Sequence, residues 1–126
     1  MSIIRVNLGA KSYNIEIAAG ILDTAGEKIR SISKAQRAAV ISDSNVDALY
    51  GERLQEALAG SGFKVTRIVF PAGEKSKCLT ELARIYDRLA EAGITRSDLV
   101  VALGGGVTGD LGGFAAATFL RGVDYV

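Results

Sequence analysis

Apolar and polar residues alternate along 3–8, IIRVNL, and again along 13–18, YNIEIA, with GAKS between them. A period of two predicts strands, and the short polar link predicts an antiparallel hairpin. The period then lengthens. GILDTAGEKIRSI (20–32) sets Ile21, Leu22, Ala25 and Ile29 along one helical face. RAAVISD (37–43) is an apolar run that predicts a buried strand ending on Asp43. SNVDALYGERLQEALAGSG (44–62) reads as a helix with Val46, Leu49, Tyr50, Leu54 and Leu58 as its apolar stripe, stopped by Gly60 to Gly62.

KVTRIVF (64–70) is the next strand, halted by Pro71 and Gly73. CLTELARIYDRLAEAG (78–93) predicts a helix with Leu79, Leu82, Ala83, Tyr86, Leu89 and Ala90 on one face and Gly93 at its C-terminal cap. DLVVALG (98–104) is a continuous apolar strand of the kind buried on both faces. A small-residue helix, GDLGGFAAATFL (109–120), is broken by Arg121-Gly122 before a last strand at GVDYV. The tyrosines Tyr13, Tyr50, Tyr86 and Tyr125 fall mostly on apolar faces, where core packing is expected.

After the hairpin, helices and strands alternate. The expected fold class is α/β: a Rossmann-like, mostly parallel sheet with helices on both faces and an N-terminal β-hairpin. Ligands in such sheets sit at the carboxyl ends of the strands. Three segments fall there: SDSN (42–45), PAGEKSK (71–77) and GGGVTGD (104–110).

Composition narrows the chemistry. The 126 residues are 48% apolar, enough for one domain with a modest core. The net charge of +1 gives no reason to expect nucleic acid or a membrane surface as partner. No run approaches eighteen apolar residues and the N-terminus lacks a secretion-signal pattern. A single cysteine, Cys78, permits no internal disulfide and suits a reducing, cytoplasmic setting. There is no histidine, which excludes a Ser-His-Asp triad and any histidine-held metal within the chain. GVDYV starts a strand with no turn signal after it, so the chain is expected to be an N-terminal piece of a longer protein.

Gly104, Gly106 and Gly109 match G-x-G-x-x-G between a predicted strand and helix, the context of a dinucleotide fingerprint. The loop follows a late strand, however, and no acid stands about twenty residues on, so an ordinary Rossmann scheme is not expected. A P-loop is excluded, because Asp110 and Leu111 stand where Lys and Ser or Thr are required. Asp110 either accepts hydrogen bonds from a ribose or amide, or is a favourable charge in a helix's first turn. Gly112 and Gly113 point to close packing. Asp43 and Asn45 suit a ribose, or else Ser44-x-x-Asp47 forms a capping box and leaves Asp43 free. PAGEKSK is a solvated charged loop, or a site in which Glu74 and Lys77, three apart, face the same way. Cys78 lies at a helix N-terminus without a base and reads as structural. Arg121 is an exposed charge or a clamp for a phosphate or carboxylate.

PAGEKSK followed by LVVALGGGVTGDLGGFAAATFLRGV resembles the N-terminal domain of 3-dehydroquinate synthase. The likeness runs through the whole chain and is most specific from Pro71 to Val123. It implies a shikimate-pathway lyase that converts 3-deoxy-arabino-heptulosonate 7-phosphate to 3-dehydroquinate and phosphate, using NAD and a divalent metal, zinc or cobalt. It further implies that Asp43 and Asn45 contact the adenosine of NAD. Ala72, Gly73, Glu74, Lys75, Ser76 and Lys77 would line the cofactor site. Gly105, Gly106 and Val107, with Thr108 and Gly109, would pass the pyrophosphate, and Asp110 would stand at the nicotinamide end. Arg121 would reach the sugar-phosphate substrate, at its phosphate and across the interface of a homodimer.

That family continues with a Thr-Thr loop, a lysine and asparagine segment, and a helical domain whose glutamate and two histidines hold the metal. None of these is in the 126 residues. Residues 1–126 are therefore expected to be a truncated NAD-binding domain with no catalytic or metal-ligating residue of its own, inactive alone. The alternatives are another sugar-phosphate cyclase such as 2-deoxy-scyllo-inosose synthase, a metal-dependent alcohol or glycerol dehydrogenase, and a stand-alone nucleotide-binding module.

Overall fold

A computed structural model describes all 126 residues. Strands β1 (Ser2–Val6) and β2 (Tyr13–Ile17) form the expected antiparallel hairpin. A four-stranded parallel sheet follows, from β3 (Arg37–Asp43), β4 (Lys64–Phe70), β5 (Leu99–Leu103) and β6 (Asp124–Tyr125), in the order β4-β3-β5-β6. Helix α1 (Ala25–Ile32) precedes β3. A short α2 (Ser44–Val46) and α3 (Glu52–Gly60) join β3 to β4, α4 (Leu79–Glu91) joins β4 to β5, and α5 (Gly106–Thr118) joins β5 to β6. No helix is long and apolar enough to cross a membrane.

The strand pleat divides the core in two. Ala39, Ile41 and Val100 face Leu82, Ile85 and Leu89 of α4 and Leu111 and Ala115 of α5. Ala38, Val40, Leu99 and Val101 face Ile29 of α1 and Leu54 and Leu58 of α3. Helices thus cover both faces, as a sheet of apolar parallel strands requires. The connection from β3 leaves on one face and that from β5 on the other. The gap between the carboxyl ends of these two neighbours is therefore the switch point of the sheet.

Several expected details differ. Residues 21–24 form a 3₁₀ turn ahead of α1 rather than α-helix. Between α2 and α3, Asp47–Gly51 is a π-helical turn. Its extra residue per turn rotates Leu49 and Tyr50 outward, to 70% and 43% exposure, while Leu54 and Leu58 stay buried. Gly51 is buried in this turn, and a Cβ there would collide with the Asp47 carboxylate, which faces Arg67 Nε at 3.4 Å. On α4, Leu79, Ala83 and Ala90 are exposed, and Ile85 is the buried partner of Leu82 and Leu89. The stripe is centred on the 82/85/89 row because that row meets the sheet.

Tyr13 and Tyr125, like Tyr50, are about half exposed rather than core. The hairpin's Ile3, Ile4, Ile15 and Ile17 are exposed on both of its faces. Gly93 has φ +72 and donates to Ala90 O while Ile94 donates to Leu89 O, which ends α4 as its glycine implied.

Candidate functional site

The carboxyl ends of β3, β4 and β5 bring the three segments 42–45, 71–77 and 104–110 together, and hydrogen bonds join them in a ring. Buried Ser42 donates its hydroxyl to Leu103 O at 2.7 Å, tying the end of β3 to the end of β5. Ser44 Oγ accepts the Ala72 N–H at 3.0 Å, tying 42–45 to 71–77. Lys77 Nζ donates to Asp110 Oδ2 at 2.8 Å, tying 71–77 to the glycine segment.

Asp43 caps the helix that follows β3: its Oδ1 accepts the Val46 N–H at 2.8 Å. Ser44 does not cap, contrary to the capping-box reading, because its hydroxyl is turned to Ala72. The cap occupies one carboxylate oxygen of Asp43, and Asn45 beside it is exposed.

The 71–77 loop is held by its own bonds. Gly73 takes φ +119, and buried Ser76 donates to Pro71 O. Glu74–Ser76 is a 3₁₀ turn. It carries Glu74 Oε1 to within 3.3 Å of Lys77 Nζ, so the two do face the same way. Lys75 is exposed. The hydrogen bond that Lys77 donates to Asp110, followed by the one it donates to Glu74, raises its pKa above the usual lysine value and keeps the ammonium charged.

The glycine segment starts its helix earlier than expected. Helix α5 begins at Gly106, with Gly105 at its N-cap and no side chain capping it. Asp110 consequently lies beyond the first turn, where the helix dipole no longer governs it. That removes the first-turn account of Asp110; its carboxylate serves Lys77 instead. Gly104 has φ +156, and a Cβ there would stand 2.5 Å from the Thr108 hydroxyl. Thr108 is 1% exposed and its hydroxyl has no partner. At the switch point this uncapped helix start, with Gly105, Gly106 and Val107, presents first-turn amides that have no intrahelical partner, an arrangement that favours an anion.

Beside the Lys77–Asp110 pair lies an apolar pocket of ≈ 360 Å³, lined by Cys78, Leu79, Leu82, Leu111 and Phe114. Cys78 is exposed there rather than packed away. A Cβ on Gly112 would stand 3.5 Å from Ala102 and 3.8 Å from Ile41, and one on Gly113 3.5 Å from Tyr125; these are ordinary contact distances, so close packing does not require glycine at either position.

Arg121 is not brought to this cleft. Helix α5 runs about 20 Å back along the sheet, and Arg121 precedes β6, whose Asp124 pairs with Leu99 at the amino end of β5. Arg121 is exposed, with φ +66, next to Leu120 at φ +51. Ser42, Ser44 and Tyr125 are the site-shaping residues that sequence reasoning missed or read otherwise. Only the small polar residues at the strand end and the i, i+4 glycines Gly109 and Gly113 signalled them. The chain contains no cluster of three or more metal-ligating side chains.

Residues 67–126 match the family model described as 3-dehydroquinate synthase N-terminal. The 3-dehydroquinate synthase of Clostridium acetobutylicum is 48% identical over 126 residues, which is 100% of this chain and 35% of that protein. Among solved structures, 2-deoxy-scyllo-inosose synthase complexed with carbaglucose-6-phosphate, NAD+ and Co2+ superposes with a TM-score of 0.85 at 26% identity, covering 98% of this chain and 33% of that one. The 2-epi-5-epi-valiolone synthase of Streptomyces hygroscopicus, with NAD+ and Zn2+ bound, superposes with a TM-score of 0.76 at 29% identity, covering 95% and 33%. The chain spans about a third of the length of the curated relatives it matches. Matched end to end by proteins of that name, the chain belongs to the 3-dehydroquinate synthase family, to whose N-terminal part it corresponds.

Proposed function

We propose that the chain is the NAD-binding portion of a 3-dehydroquinate synthase, a lyase that forms 3-dehydroquinate and phosphate from 3-deoxy-arabino-heptulosonate 7-phosphate. The observation that carries this is the ring of bonds joining 42–45, 71–77 and 104–110 around an uncapped helix N-terminus. The relatives' name and the NAD+ bound in two similar structures support it.

The residues fit the cofactor. Asp43, with one oxygen used as a cap, has the other for a ribose hydroxyl, next to Asn45. The first-turn amides at Gly106 and Val107 face where a pyrophosphate charge is favoured, and Gly105 and Gly106, at which a Cβ would stand in open space, leave that approach clear of side chains. The Lys77–Asp110 pair, with Glu74 3.3 Å from the same ammonium, stands at the nicotinamide end, where a lone cation would favour the wrong charge and one flanked by two carboxylates does not. NAD+, when bound, supplies a hydride acceptor for a substrate alcohol. The residues present do not fit a metal, so the zinc or cobalt ligands belong to a second, helical domain outside residues 1–126, and the protein works as a soluble cytoplasmic homodimer.

Calorimetry on the 126-residue chain tests the reading: NAD+ binds more tightly than ATP, whereas preference for ATP would overturn it. The isolated chain releases no phosphate from the sugar phosphate, and release would refute the second-domain assignment.

A further inference from the structure

Tyr125 stands at the end of β6, where it is 44% exposed, and its side chain crosses the start of α5. Its hydroxyl donates to Gly109 O at 2.9 Å. Its ring lies against the backbone of α5 where there are no side chains to keep it away. A Cβ on Gly113 would be 3.5 Å from the ring, and one on Gly109 would be 3.9 Å from the hydroxyl oxygen. Gly109 and Gly113 are one helical turn apart, so they form a shallow track into which one aromatic ring fits. The residue directly after Gly109 is Asp110, whose carboxylate meets Lys77 across the cleft at 2.8 Å. Burial, with the Asp110 charge adding to it, raises the Tyr125 pKa, so the phenol keeps its proton and remains a donor.

We infer that Tyr125 is a positioning residue for the cofactor cleft: by fixing the Gly109 carbonyl it sets the pitch of the first turn of α5 and holds Asp110 in register with Lys77. The inference rests on the NAD reading above. It concerns a residue outside all three cleft loops, acting from the edge of the sheet. Hydrophobic contact alone would keep the ring on the glycine track. The hydroxyl adds direction, because a carbonyl accepts along its lone pairs and a slipped helix would lose the bond.

The test uses Tyr125→Phe in the 126-residue chain, which keeps the ring and deletes the donor. NAD+ affinity falls about five- to tenfold, the loss of one to one and a half hydrogen bonds' worth of register, while the melting temperature stays within a few degrees. In the same variant the raised Lys77 pKa, followed by NMR at its side-chain carbon, drops towards the ordinary lysine value; a purely structural tyrosine would leave it unmoved. In an Asp110→Asn background the Tyr125→Phe effect on NAD+ disappears. Unchanged NAD+ affinity and an unchanged Lys77 titration would overturn the inference. Absence of NAD+ binding by the unaltered chain would instead overturn the function on which it rests. If Tyr125→Phe fails to fold, Asp110→Asn alone decides: the Tyr125 phenol titrates lower, by carbon-13 labelling of tyrosine, or the coupling does not exist.

Discussion

Ser44 Oγ and the Ala72 amide are 28 residues apart in sequence and 3.0 Å apart in space, and this is the bond that holds the 71–77 loop to the end of β3. Ser44→Ala leaves the Ala72 N–H without that acceptor. At about 1 kcal/mol for such a bond, NAD+ affinity is expected to fall about fivefold. Amide exchange should quicken at Ala72–Lys77 and not in α1, read by hydrogen–deuterium exchange. Unaltered exchange at Ala72 would remove the bond from the account of the cleft.

Asp98 predicts a pH dependence. Burial raises its pKa, but the amides of Thr95 and Arg37 and the Thr95 hydroxyl outweigh burial and leave it below the usual carboxylate value. A depressed folded pKa means stability fully present above the unfolded value of about 3.9 and lost as pH falls through the folded one. Asp98→Asn is therefore expected to destabilise by about 2 kcal/mol at neutral pH and to flatten the loss of stability on acidification. Urea unfolding at pH 7 and pH 3 checks both.

Gly112 predicts a gain. It is buried in the middle of α5, and a Cβ would reach Ala102 Cβ at 3.5 Å and Ile41 at 3.8 Å, ordinary contact distances. Gly112→Ala should stabilise by up to about 1 kcal/mol, because alanine is the better helix former and fills the space. The melting temperature should rise by several degrees. A fall would mean that the sheet cannot accept the methyl.

Arg121 predicts complementation. It sits at the far end of α5 from the cleft, so in the proposed homodimer its contact with a substrate held there would be made by the second copy. In the full-length protein, Arg121→Ala and Lys77→Ala are each expected to abolish most activity. Random mixing of the two in one dimer population should restore about a quarter of the sites, those pairing an intact cleft with an intact arginine. No recovery on mixing would place Arg121 in its own subunit's site or outside the site altogether.

Much of this was legible in the residue pattern. The strands 37–43 and 64–70 match the predicted runs to the residue, because the inner strand is buried from Ala38 to Ser42 and the edge strand is halted by Pro71. The three cleft loops were legible too, since strand ends and glycines mark them. The helix surfaces were harder to read. On 44–60 the periodicity assumes a constant turn, and the π turn at Asp47–Gly51, which leaves no room for a side chain at Gly51 beside the Asp47 carboxylate, breaks it. On α4 the apolar residues outnumber the places on the sheet, so periodicity alone chose the row of Ala83 and Ala90 over Ile85. Which hydroxyl caps and which one bridges, at Asp43 and Ser44, depends on where residue 72 arrives from β4, and local sequence contains no record of that.

The ring of bonds through Ser42, Ser44 and Lys77 has a consequence for how binding responds to heat. A cleft assembled by folding itself has little freedom left to surrender when a ligand arrives. Its capacity to bind should therefore persist almost undiminished as temperature rises and vanish together with the sheet, in one transition rather than two.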